Sequence, residues 1–245
     1  MNSQHLTNEE INAIFGVQYQ TVENTGAAWT ALIREHLGNA ENLKVLDAGC
    51  GSGFLSILLA RLGYQVIALD QSSTALEKAR ENARKFGVLD QIEFCHGNAA
   101  ETNMDTESFD AILSRNATTL FLEPVIAYKE WFRLLKQGGM ILNFDANWLS
   151  PLWSDDHAAA FLADEKELRK DVADYTDIYN DRYALFRLSQ CPLAFQQRPQ
   201  WDKDICREIG FQVVSSFDMT DSEMLPPVLA KRFRSIPTFL FKAIK

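Results

Sequence analysis

Three glycines and two acids carry the chemistry that can be read from this chain. Gly49, Gly51 and Gly53 lie in Val45-Leu46-Asp47-Ala48-Gly49-Cys50-Gly51-Ser52-Gly53-Phe54, where a short apolar run gives way to a helical pattern. Glycines at a strand-to-helix turn let the backbone approach a ligand closely, and the first helical turn presents unpaired N–H groups. Asp70 stands nineteen residues after Gly51, at the end of the next apolar run. That is the place from which an acid holds ribose hydroxyls in a doubly wound sheet. Asp47 narrows the ligand further: a carboxylate beside the turn repels a pyrophosphate and suits a ligand bearing an ammonium and a sulfonium. Phe54 occupies the third glycine position of G-x-G-x-x-G, so the dinucleotide pattern fails.

The elements that must position these residues follow from apolar periodicity. Lys44–Asp47, Gln65–Leu69, Gln91–Cys95, Phe109–Leu113 and Met140–Phe144 read as short buried strands. Between them, Phe54–Leu62 reads as a helix stopped by Gly63, and Ser72 or Ser73 caps a helix through Phe86, with Glu77 placed for a capping box. Glu123–Leu135 reads as a helix ended by Gly138-Gly139. Strands alternating with helices predict βαβ units with right-handed crossovers, hence an α/β fold with a mostly parallel sheet covered on both faces. The first 40 residues read as helical, with a break near Asn24 to Gly26. After Asp145 the alternation stops, and 146–209 holds no convincing strand. Asp155–Phe186 reads as helix with one apolar face; nine acids against three bases over 155–181 make it a solvated acidic face or the outside of a lid. Strands resume at Phe211–Phe217 and Thr238–Ala243.

The ordered set of motifs resembles a class I S-adenosylmethionine (SAM)-dependent methyltransferase, of the small-molecule kind similar to the ubiquinone-biosynthesis methyltransferases. Val45 to Gly53 resembles the family's first motif and Ala68-Leu69-Asp70-Gln71-Ser72 its second. Phe94-Cys95-His96-Gly97-Asn98-Ala99 stands where the family has its adenine-contacting loop. Ser108 to Arg115 resembles its fourth strand, and Trp131-Phe132-Arg133-Leu134-Leu135-Lys136-Gln137-Gly138-Gly139 the helix end before its fifth. The likeness spans about 40–145. It implies a Rossmann-like doubly wound sheet of seven strands, mostly parallel with the last antiparallel, and a helical insert between strands five and six. It divides the chain into a helical cap (1–40), a SAM-binding core (41–145), an insert or lid (146–209) and closing strands (210–245).

The resemblance also implies roles. Asp47, Gly49, Cys50, Gly51 and Gly53 hold the methionine end of SAM. Asp70 accepts from both ribose hydroxyls, with Gln71 beside the adenine. Asn98 accepts from the adenine amino group, and the Ala99 backbone meets the ring. Ser114 contacts the methionine amino group through its backbone. Tyr19, in the N-terminal segment, covers the sulfonium or bonds the carboxylate. Many relatives carry Asp where this chain has Asn98, yet an amide oxygen still accepts that hydrogen bond.

Methyl transfer is a direct displacement from an activated donor, so the protein supplies chiefly alignment and exclusion of water. The family has no universal catalytic residue. Candidates stand near the carboxyl ends of the strands: Arg115 and Asn116 after strand four, with Arg115 able to clamp a carboxylate or phosphate, and Asp145 and Asn147 after strand five. His157, at the start of the insert, is a candidate base, and Trp148 and Trp153 are candidate pocket walls. A non-catalytic SAM-fold binding module and a methyltransferase acting on a macromolecule are the alternatives. Composition argues against the second: 33 acidic residues against 24 basic give a net charge of −9, where a nucleic-acid partner wants clustered Lys and Arg. No apolar run approaches the roughly 20 residues of a membrane span, and Met1–Glu10 has no apolar signal core. Cys50, Cys95, Cys191 and Cys206 form no C-x-x-C pair, which predicts a reduced, cytoplasmic protein without a bound metal.

Overall fold

The computed structural model describes residues 22–38, 40, 42–170, 182–220, 224, 230–231 and 233–245. The chain runs α1 (Val22–Leu37), β1 (Lys44–Ala48), α2 (Phe54–Arg61), β2 (Gln65–Asp70), α3 (Ser73–Lys85), β3 (Ile92–His96), β4 (Phe109–Arg115), α4 (Pro124–Leu134), β5 (Leu135–Ala146), α5 (Asp155–Leu168), α6 (Arg182–Ser189), α7 (Gln200–Ile209), β6 (Val213–Asp218) and β7 (Thr238–Ile244). The seven strands form one sheet in the order β3-β2-β1-β4-β5-β7-β6. All neighbours are parallel except β7, which runs antiparallel to both β5 and β6.

Each central strand is apolar on both faces because helices cover both. Val45 packs with α1, α2 and α3, through Trp29, Ile33, Leu58 and Leu76. Its neighbour Leu46 points to the other side, where Tyr128, Trp131 and Leu134 of α4 and Cys206 of α7 complete a second core. A strand covered on both faces has no solvent-facing position, so the central strands read as near-continuous apolar runs, broken by buried polar residues toward their carboxyl ends: Asp47, Ser114, Asn143 and Asp145. A third cluster, with Trp148, Phe161, Leu188 and Phe233, seats α5 and α6 beside the segment before β7. Of the stretch 146–209 read as an insert, Gln200–Ile209 is thus a helix of the sheet's own covering layer.

Three local expectations shift. α1 runs unbroken through Asn24–Gly26, where a break is expected. Ser72 caps α3 by accepting from Ala75 N (3.2 Å). That makes Ala75 the N3 residue, so Glu77 falls two positions too late for a capping box. Strand β5 begins at Leu135, directly after α4, not at Met140. Phe109 pairs with Leu135 and Ala111 with Met140, so Lys136–Gly139 loop out as a bulge. Lys136 Nζ bonds Asp110 Oδ1 (2.7 Å) across that bulge, and Gly138, at φ +75°, supplies the left-handed turn. The helix predicted over Asp155–Phe186 appears as α5 and α6, its middle lying outside the described residues.

The strand order reverses between β1 and β4, which are neighbours whose following connections diverge to opposite faces. In such sheets the crevice at that reversal, beyond the carboxyl ends of the strands, is the standard ligand position. Asp47 and the Gly49–Gly53 turn line one side of it, and Ser114 to Thr118 the other.

Candidate active site

The turn after β1 is fixed by backbone bonds from Gly49 N and Cys50 N to Leu69 O (2.9 and 3.0 Å). Gly49 has φ +75°, and a Cβ there would lie 2.6 Å from the Ala117 Cβ, so only glycine lets the two loops of the crevice touch. Gly51, at φ +53°, would point its Cβ at nothing within 4 Å. Its backbone faces open space, where a ligand can approach. Gly53 is the N-cap of α2 and, at φ +85°, makes no side-chain cap, leaving the N–H groups of Phe54 and Leu55 for a ligand while that of Ser56 is taken by Asp47.

Asp47 is 1% exposed, and its Oδ2 accepts from Ser56 N (2.9 Å) and Ser56 Oγ (2.5 Å). Burial pushes its pKa up to about 7; the Ser56 bonds oppose the rise, Asp70 adds to it, and Arg115 opposes it. Asp70 reaches back across the turn: Oδ2 accepts from Gly51 N (2.8 Å) and Oδ1 from Ser72 N (2.9 Å). Burial raises its pKa too, against the pull of those N–H donors. Each oxygen keeps a second lone pair for a hydroxyl. Gln71 is exposed, and its carbonyl meets His96 Nε2 (2.9 Å).

Asn98 and Ala99 follow β3 beside Asp70. Asn98 Oδ1 accepts from Ala100 N (3.0 Å), an Asx turn that shapes the segment. Behind it, the fully buried Trp131 donates Nε1–H to Ala99 O (3.1 Å). Ser114, fully buried, donates its hydroxyl to Ala48 O (2.8 Å) and so ties the ends of β4 and β1 together. Arg115 lies over the rings of Phe54 (4.5 Å) and Trp29 (5.1 Å), which meet edge to face. Asn116 reverses the chain at φ +53° and donates N–H to Phe144 O (2.8 Å).

The remaining candidates part company with this group. Asp145 is enclosed and its lone pairs are taken. Oδ2 accepts from Thr118 Oγ1 (2.6 Å), Thr119 N (3.1 Å), Thr119 Oγ1 (3.0 Å) and Arg198 Nη1 (2.7 Å). Oδ1 accepts from Ala146 N and Trp148 Nε1 (both 2.9 Å). Burial alone would raise its pKa, but the Arg198 charge and the hydroxyl donors outweigh that and hold it below the usual carboxylate value. A carboxylate so engaged has no lone pair left for a substrate hydroxyl or amine, so Asp145 is corrected from candidate catalytic residue to structural anion. Asn147 is likewise engaged, pairing its amide with the Arg198 backbone. Trp148 is tied to Asp145, while Trp153 is 40% exposed. His157 stands in the first turn of α5, its ring 6.2 Å from Trp153; its Nδ1 is enclosed without a hydrogen-bond partner among the described residues. Tyr19 lies outside the described residues.

Reading from the sequence missed Ser56, Trp131 and the Arg198–Asp202–Tyr128 group. The cysteines are unpaired and lie on separate elements, and among the described residues no cluster of three or more His, Cys, Asp or Glu could hold a metal ion. No helix among the described residues is long and apolar enough to cross a membrane.

Comparison with known proteins now fixes the class. Residues 39–202 match the methyltransferase domain family, and the chain belongs to it. It is 33% identical over 102 residues to the ubiquinone biosynthesis O-methyltransferase of Dinoroseobacter shibae, covering 42% of this chain and 40% of that enzyme. It is 34% identical over 103 residues to the sterol 24-C-methyltransferase of Debaryomyces hansenii, covering 41% and 27%. The likeness thus spans less than half the length of these relatives. The fold resembles that of phosphoethanolamine N-methyltransferase 2 of Haemonchus contortus, solved with S-adenosyl-L-methionine: TM-score 0.60, 16% identity, 89% of this chain and 52% of that one. These names specify oxygen, carbon and nitrogen as acceptors, so kinship leaves the acceptor atom open.

Proposed function

We propose that the chain transfers the methyl group of SAM to a small-molecule acceptor by direct displacement. The observation that carries this reading is the Asp70–Gly51 bond, which sets a ribose-binding acid and an open glycine turn within one hydrogen bond of each other at the switch point of the sheet. Bound there, SAM supplies an electrophilic methyl on a sulfonium. The chain's own residues do the rest. Asp70 accepts from the ribose hydroxyls, with Gln71 alongside. Asn98 Oδ1 offers its second lone pair to the adenine amino group, and the Ala99 backbone, held by Trp131, meets the ring. Gly49, Cys50, Gly51 and Gly53 lie along the methionine tail. Asp47 and the Ser114 backbone face its ammonium, which stabilises the buried carboxylate in its ionised form.

Arg115, stiffened by two aromatic rings, is the residue suited to an anionic group on the acceptor or to the methionine carboxylate. In this reading 41–145 and 210–245 belong to the core, joined by Gln200–Ile209 of the segment read as insert (146–209), and the cap (1–40) and the rest of the insert are proposed as its cover; the fold and charge suit a cytoplasmic protein. Tyr19 and His157 are retained as a cover and a base to be tested.

Titration calorimetry with SAM and with its demethylated product tests the reading on wild type and Asp70→Ala. Wild type is expected to bind both, and the variant roughly a hundredfold more weakly, for two charge-assisted hydrogen bonds. Absence of binding to wild type would overturn the proposal.

A further inference from the structure

Behind the crevice lies a buried group that the proposed chemistry does not use. Arg198 is 1% exposed at its side chain, as deeply buried as its two carboxylate partners, Asp145 and Asp202. Its guanidinium forks. Nε and Nη2 grip Asp202 of α7 (2.9 and 2.7 Å). Nη1 donates to Asp145 Oδ2 (2.7 Å) and Thr119 Oγ1 (2.8 Å), and Nη2 to Thr118 Oγ1 (2.8 Å). Tyr128 donates to Asp202, and Asn143 Nδ2 to Thr118 Oγ1 (2.9 Å). If the cluster served only to fasten α7 to the sheet, apolar side chains of similar volume would do as well. A planar fork adds direction, and here it is aimed at the two threonines that follow β4.

Those threonines lead straight into the crevice. Thr118–Leu120 is a single 3-10 turn, too short to hold its own shape. Its outer neighbour, Ala117, touches Gly49 so closely that no Cβ fits between them. Any movement of Thr118 and Thr119 therefore passes to the glycine turn. The adenosine side of the crevice is built differently: Asp70 is held by Gly51 N and Ser72 N, and Ala99 by Trp131, with no bond to Arg198.

We infer that Arg198 is a positioning residue that sets the Ala117–Thr119 segment against the Gly49 turn and thereby governs the grip on the methionine end of the donor. The inference rests on the SAM reading above. It predicts an effect split between two halves of one ligand, which a general loss of stability would not produce.

The test is calorimetric titration of the full chain with SAM and with methylthioadenosine, which keeps the adenosine but lacks the amino-acid tail. Four proteins are compared: wild type, Arg198→Lys, the pair Thr118→Val with Thr119→Val, and Trp131→Phe. Arg198→Lys keeps the buried charge, and the threonine pair keeps both ion pairs, so at least one of them is expected to fold. Each should weaken SAM about tenfold while leaving methylthioadenosine within about twofold. Trp131→Phe, which frees Ala99, should weaken both ligands alike. Equal weakening of both ligands by Arg198→Lys and the threonine pair, or no effect of either, overturns the inference. Failure of wild type to bind either ligand overturns the SAM reading itself, and the inference falls with it.

Discussion

Replacing Asp47 by Asn removes a buried carboxylate of the crevice whose pKa stands near neutrality. Asp47 has an ordinary value of 3.8 and is pushed up to about 7 by burial. Between those limits the folded chain binds more protons at this site than the unfolded chain, so stability falls as pH rises from about 4 to 7 and is level beyond about 8. At 1.36 kcal/mol per pH unit, the whole penalty is about 4 kcal/mol, and about 2 kcal/mol of it develops between pH 5.5 and pH 8.5. Asn keeps an oxygen to accept from Ser56 and carries no charge, so Asp47→Asn escapes the penalty. In ligand-free protein the variant should gain on wild type as pH rises, by about 5 °C in Tm over that interval for a domain of this size. Titrating groups that do not interact with Asp47 cancel in the difference between the two proteins, while Asp70, freed of its anionic neighbour, adds only a smaller part. Binding should run the other way. A ligand with positive charge near Asp47 favours the ionised form, so the affinity of wild type for SAM should climb about tenfold between pH 6 and pH 8, and that of the variant should lack this rise. Thermal melts across pH, followed by titrations at the two ends, check both halves. A Tm gap that stays constant from pH 5.5 to pH 8.5 would refute the assignment of the raised pKa to Asp47.

Gly49→Ala must both adopt φ +75° and clear the Ala117 Cβ at 2.6 Å, so about 3 kcal/mol or more of stability and all measurable SAM binding should be lost, as read by denaturant melts and calorimetry. Ser114→Ala leaves the Ala48 carbonyl without its donor in a dry site and should cost about 1–3 kcal/mol in a urea titration. Glu130 is held down at about pKa 2, first by Arg133 and with help from Thr102. Its contribution is complete above its unfolded value of 4.5 and lost as pH falls toward 2, so Glu130→Gln should destabilise by about 1 kcal/mol at pH 7, after allowance for the solvent around Arg133, and by nothing at pH 2. Equal losses at both pH values would show that the charge is not responsible.

What could be read in advance and what could not divides along the range of the interactions. The central strands were legible because each is buried on both faces and leaves a nearly continuous apolar run; the helices because Gly63 and Gly87 end them and Ser72 starts one. Asp47, Gly49, Gly51, Gly53 and Asp70 were legible because turn chemistry is local. Asp145 looked the same: an acid at the carboxyl end of a strand. What distinguishes it is Arg198, 53 residues away, and nothing near either residue announces the pairing. The only advance signal lay in α7, where Asp202 stands four residues before Cys206 and both are fully buried. An acid on the apolar stripe of an amphipathic helix needs a buried cation, and that requirement could have directed attention to Arg198. The bulge at Lys136–Gly139 was hidden for the same reason, since Gly138-Gly139 ends a helix as readily as it loops out of a strand.

The placement of the three acids says which ligand the crevice favours. Asp145 is ion-paired with a guanidinium that it shares with Asp202. Asp47 and Asp70 bond only hydroxyl and backbone N–H donors among the described residues, and each raises the pKa of its surroundings: Asp70 pushes Asp47 up, and both push up the Cys50 thiol after burial has done so. Two carboxylates left without a bonded cation at the mouth of a glycine turn raise the cost of an incoming pyrophosphate and lower that of a sulfonium bearing an ammonium. The chain could have neutralised them with one more arginine, as it did for Asp145. That Asp145 is ion-paired while Asp47 and Asp70 are left without a bonded cation is the charge pattern expected where a cation arrives and, its methyl gone, leaves with one positive charge fewer and a weaker hold on the site.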